Sequence, residues 1–149
     1  MEAILAGNVA AVFQVMSNEL KTPKILNCPT DEKRIQATTF DRSDLSIGKS
    51  GGTFFGGNTN LSYFVGVDAK DTSIDMFLSG DDNFLVNDVP TKSSVVSLTT
   101  NTPVAWGNTR HEKQGNIVRT DGSVEYLSSS ALRKALSNTG LETNRLAMP

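Results

Sequence analysis

Apolar residues recur at steps of three and four near the start of the chain, at Leu5, Val9, Val12, Phe13, Met16 and Leu20. That spacing predicts an amphipathic helix over residues 4 to 20, with Leu5, Val9, Phe13, Met16 and Leu20 as the stripe that lies on a sheet. Pro23 ends it, because the residue before a proline avoids the helical region. Residues 25 to 60 show no sustained period and read as loops. From residue 61 the pattern becomes that of short strands, over 61–67, 74–78, 84–86, 95–99, 116–120 and 123–127, rich in β-branched and aromatic side chains. Asp121-Gly122 between the last two predicts a two-residue primed turn, which places Arg119 opposite Val124 and Ile117 opposite Tyr126 on one face. Ser128 or Ser129 caps a short helix through Ser137, Leu132 and Leu136 stack within it, and Gly140 stops it. Residues 141 to 149 read as a tail.

These elements predict an α+β fold: an N-terminal amphipathic helix packed on an antiparallel sheet, with a short C-terminal helix. Nothing divides the chain, so the 149 residues make one domain. Its segments are the helix (1–22), a loop-rich stretch (23–60), the strands (61–127) and the C-terminal helix and tail (128–149). With 38% hydrophobic and 20% charged residues the composition is that of a polar globular protein. The net charge of −2 gives no positive excess to attract nucleic acid. The longest apolar run, residues 9 to 13, is far shorter than the ~20 residues that span a bilayer.

The candidate chemistry is sparse. A single Cys and a single His exclude an internal disulfide and any site built from several cysteines or histidines. Gly48-Lys49-Ser50 suggests a phosphate loop, but that motif needs a glycine at position 43, which is Ser. Asp81-Asp82-Asn83 offers oxygen ligands for calcium, yet the position that should close an EF-type loop is Lys92. Asp81 and Asp82 are thus weak metal candidates, and solvated turns account for them as well. Cys28 and His111 have the chemistry of a thiolate–imidazole pair, but no feature of the sequence brings them together. His111 reads as a hydrogen-bonding group that pins its loop to the backbone around Asp121, and Trp106 as a core anchor beside the same hairpin.

The spacing around that hairpin resembles a family signature. His111, nine residues, then Asp121-Gly122 is similar to the H-X9-DG domain of bacterial prepilin-type proteins. Cys28-Pro29-Thr30-Asp31 resembles the family's Cys-Pro-small-Asp element, and Ser62-Tyr63 its Ser-Tyr strand. Gly80-Asp81, Trp106, Gly115-Asn116 and the closing Asn144-Arg145 follow in the family's order. The resemblance covers residues 13 to 149. It implies the globular domain of a type IV pilin-like or type II secretion pseudopilin-like subunit, which is structural, not enzymatic, and needs no cofactor. It further implies export and an inner-membrane anchor, through a leader and an apolar half-helix that would precede Met1. Partners would be other pilin-like subunits or the secretion machinery, met through the N-terminal helix. The alternative on such a fold is a binding module for calcium or a glycan, in the loops around residues 68 to 82.

Overall fold

The computed structural model describes residues 2–44 and 52–149. It is mostly antiparallel β-sheet. Nine strands are present among the described residues: β1 (Tyr63–Gly66), β2 (Phe77–Asp81), β3 (Phe84–Val86), β4 (Val89–Pro90), β5 (Ser94–Thr99), β6 (Val104–Trp106), β7 (Gln114–Arg119), β8 (Val124–Ser128) and β9 (Thr143–Met148). They form a six-stranded sheet in the order β5-β9-β1-β2-β7-β8 and a three-stranded sheet in the order β4-β3-β6. All pairings within both sheets are antiparallel.

The expected N-terminal helix laid on the sheet is not there. Residues 2 to 20 form three separate pieces, α1 (Glu2–Leu5), α2 (Ala10–Val15) and α3 (Ser17–Leu20). Gly7 breaks the first join with φ of +81°. Asn58 then takes up backbone groups that a continuous helix would have used. Its Oδ1 accepts from the Ala10 N–H at 3.1 Å, and its Nδ2 donates to the Gly7 carbonyl at 2.7 Å. The stripe divides accordingly: Val9 is buried, while Leu5 and Met16 are 52% and 41% exposed. The helical period was real over single turns but not over the whole run.

Alternation along the strands serves two cores, one on each side of the large sheet. Phe64, Leu98, Ile117, Leu146 and Met148 point to one side, where Phe84, Val104 and Trp106 of the small sheet and Leu132 and Leu136 of α4 (Ser129–Asn138) cover them. Tyr63, Val65, Val95 and Ala147 point to the other, against Val9, Phe13, Leu26, Phe55 and Leu61. Val9 and Phe13 therefore meet the face opposite to Phe64, Val96 and Ile117.

Two further expectations are corrected. The tail is an internal strand, β9, bonded to β5 on one side and β1 on the other. The Asp-Gly hairpin carries a three-residue loop in place of a two-residue primed turn. Gly122 N–H donates to the Arg119 carbonyl (3.0 Å) and Arg119 N–H to that of Ser123 (2.9 Å). Only Gly122 has positive φ, at +83°, which is a type I turn with a bulge. Asp121 Oδ1 accepts from the Ser123 N–H at 2.8 Å and fixes this shape. The register moves by one: Val118 faces Val124, Ile117 faces Glu125, and Tyr126 faces Asn116 on the other side. The primed two-residue turn lies instead at Asn87 (φ +52°) and Asp88 (φ +63°), joining β3 to β4. The C-terminal helix is as expected, with Ser128 accepting from the Ala131 N–H at its start and Gly140 at φ +72° just past its end.

Candidate functional site

A row of side chains crosses four strands on the face that carries the N-terminal segment. Tyr63 on β1 pairs with Asp81 on β2, and Asn116 on β7 pairs with Tyr126 on β8. Asp81 and Asn116 join the two halves, because the Asn116 N–H and Nδ2 both donate to Asp81 Oδ2, at 2.7 and 3.0 Å. Asp81 is 1% exposed. It ends a strand and is not part of a solvated turn.

Two loops bring Cys28 and His111 to this row. Cys28 follows the 3-10 turn Pro23–Leu26, and its N–H donates to Ser62 Oγ at 3.0 Å. His111 begins a run of three residues with positive φ, His111, Glu112 and Lys113, at 52°, 50° and 63°. Left-handed backbone costs about 1–2 kcal/mol for each such residue, so the surroundings must hold this turn. Asn83 does so from inside: its amide reaches the carbonyls of Gly107, Arg110 and Gln114 at 3.2–3.4 Å.

The result is a cluster that sequence distance concealed. Cys28 Sγ lies 3.4 Å from His111 Nε2, and the same nitrogen lies 3.6 Å from Asp81 Oδ2. Thr30 Oγ1 is 3.2 Å from the sulfur. Burial raises the Tyr63 phenol to about 12, with the charges of Cys28 and Asp81 adding to the effect. A nucleophilic triad would need the thiol and the carboxylate on opposite ring nitrogens. Here both face Nε2, an arrangement in which three donors converge on one point.

Beside the cluster lies a chain of paired charges. Arg110, whose side chain is 3% exposed, is 3.1 Å from Asp31 and also bridges to Asp82. Arg34 meets Asp82 at 2.6 Å. Ser62 Oγ donates to Asp31 at 2.8 Å. Charges this deeply buried persist when they are matched and hydrogen-bonded. The structure thus separates the two acidic metal candidates. Asp82 is held by two guanidinium groups, whereas Asp81 sits with a thiol and an imidazole. A cleft of ≈ 380 Å³ opens along this network, with Asp31, Arg34, Asp82 and Arg110 in its wall.

Of the other residues that carried the resemblance, Trp106 is buried in the first core, against Gly115. Asp121 and Gly122 form the hairpin tip, and the His111 ring nitrogen is directed to Cys28 and Asp81. It is the His111 carbonyl that ties the loop to the hairpin, by accepting from Tyr126 Oη at 3.3 Å. Asn144 and Arg145 lie on β9, and Arg145 clasps Asp68 at 2.5 Å. Gly48-Lys49-Ser50 lies outside the described residues. Sequence reasoning missed Arg34 and Arg110, and met Ser62 and Asn116 only as parts of the resemblance. Arg110, next to His111, carried the one signal that was available, since a buried acidic pair requires a cation nearby. No helix among the described residues is long and apolar enough to cross a membrane. Comparison with known protein families, curated proteins and solved structures finds no match to this chain.

Proposed function

We propose that the chain is the globular part of a structural subunit of the prepilin-type H-X9-DG group, with a role in assembly and not in catalysis. One observation supports this reading. Cys28, Asp31, Tyr63, Asp81 and His111, the resemblance-bearing residues of four separate segments, meet in one polar network although Cys28 and His111 are 83 positions apart. A motif whose members tie a crossing loop, a strand end and a left-handed turn together is suited to holding a surface in shape. Asp31 and Asp82 are consumed by Arg34 and Arg110, which suits a fixed scaffold better than a site that must release product.

In this reading the protein is exported and held at the inner membrane or in a surface filament, with subunits of its own class or secretion machinery as partners. The test is the mass of the N-terminal peptide of the native protein, taken from the membrane fraction of its cells. The expected peptide has a processed, methylated first residue and ~20 apolar residues that run into Ile4 to Leu20. A native chain that starts at Met1 and stays out of the membrane fraction overturns the proposal.

A further inference from the structure

We propose that Cys28, Asp81 and His111 form a mononuclear binding site for a borderline divalent cation of the zinc type. The inference stands on the site geometry and is independent of the assembly role proposed above. One donor atom from each residue lies within 4.8 Å of the other two. A tetrahedral zinc ion with bonds of about 2.3 Å to sulfur and about 2.0 Å to nitrogen and oxygen sets donor separations of roughly 3.3–3.6 Å. The sulfur–nitrogen and nitrogen–oxygen separations in the cluster are 3.4 and 3.6 Å. Three protein ligands leave a fourth position open, and the His111 side chain, 21% exposed, marks the side from which solvent reaches it.

The chemistry of the donors selects the cation. Thiolate and imidazole favour zinc and its neighbours, whereas calcium and magnesium require oxygen shells. The supporting groups are also in place. Asn116 donates twice to Asp81 and fixes the carboxylate, and the Thr30 hydroxyl reaches the sulfur. Such second contacts orient metal ligands.

Charge argues in the same direction. Asp31 and Asp82 each lie within 4 Å of an arginine, but among the described residues no Lys or Arg pairs with Asp81, although it is 1% exposed. Its partners are the neutral Asn116 and the imidazole. A divalent cation would match the carboxylate and the thiolate that the 3% exposed Cys28 becomes on releasing its proton to bind it. The three left-handed residues that present His111 are strain of the kind found where a side chain must be aimed.

The experiment is titration of the chelator-treated protein with Zn²⁺ by calorimetry, alongside Cys28→Ser and His111→Gln, with circular dichroism to verify folding. One equivalent should bind, the melting temperature should rise, and each substitution should weaken binding by roughly a hundredfold or more, at or beyond the upper end of second-contact losses. Co²⁺ in the unsubstituted protein should give a near-ultraviolet thiolate charge-transfer band and the intense visible bands of tetrahedral cobalt. Absence of saturable Zn²⁺ binding, or binding that Cys28→Ser leaves unchanged, overturns the site. Should both variants fail to fold, the cobalt spectrum decides: a thiolate band supports the site, and its absence overturns it.

Discussion

At the scale of single residues, close approach explains several choices that propensity would not make. Gly66 ends β1, and a Cβ there would run into the Phe77 carbonyl oxygen of the paired strand. The obstacle is backbone, so no rotamer change relieves it. Gly80 is similarly confined by the Asn116 carbonyl, Phe64 and Ile117. Gly115 lies flat against the indole of Trp106. Gly66→Ala should therefore force β1 and β2 apart at one end and cost about 3 kcal/mol or more, the upper range for an over-packed site. Urea denaturation of the variant measures this. A change within about 0.5 kcal/mol, the usual range for a surface substitution, would mean that the strands separate there at little cost. The same scale explains why the cluster was hidden. Cys28, Asp81 and His111 lie far apart in the sequence, and only the strand row beneath them makes them neighbours.

At the scale of elements, the sequence was legible where local chemistry decides and illegible where partners decide. The C-terminal helix carries its own start and stop, in Ser128 and Gly140, and forms as expected. The six expected strands lie within a few residues of observed ones, because β-branched and aromatic runs state them directly, whereas the short β4 and β6 were not expected. The N-terminal helix failed because a glycine and a distant asparagine outweigh a good apolar stripe. β9 failed because its identity comes from burial between two strands, and Thr143-Asn144-Arg145 looks like solvent-facing chain. The hairpin had the right site and the wrong register, since the Asp121 side chain selects one turn type over another. One clasp joins two elements that the sequence treats as unrelated. The hydrogen bonds of the Arg145 guanidinium hold the Asp68 carboxyl below the ordinary carboxylate range, and the Arg145 N–H adds to the effect. A carboxyl depressed in the folded state adds stability above the ordinary value of about 3.9, and that contribution fades as the pH falls through the depressed value. Asp68→Asn should thus be less stable than the unsubstituted protein at pH 7. Urea melts repeated at successively lower pH should show the two converge below pH 4. A gap that stays constant with pH would show that the clasp does not depend on the charge.

At the scale of the whole molecule, the order of strands makes the two ends of the chain unequal. Residues 2 to 20 cover one side of the β5-β9-β1 half of the sheet through Ile4, Val9, Phe13 and Leu20. The residues that precede α2 and α3, Val9 and Met16, supply no side-chain cap, and Leu5, Val15 and Met16 face solvent. Removing this segment uncovers Val65, Val95 and Ala147 but leaves both sheets and the opposite core with all their members. Removing β9 is different in kind. Leu146 and Met148 enter one core and Ala147 the other, and β5 then loses the only strand it pairs with among the described residues. Full burial of a leucine or methionine contributes about 1.5–3 kcal/mol, and loss of an internal strand adds unpaired backbone on both neighbours. Against a total stability of about 5–15 kcal/mol, the chain ending at Glu142 should not fold. The chain beginning at Lys21 should keep a cooperative but lowered melt and bind a hydrophobic dye on its uncovered face. Circular dichroism and thermal melting of the two truncations test this together. If instead the chain ending at Glu142 melts cooperatively, β5 must be able to close directly onto β1, and the central place of β9 would not be required for the fold.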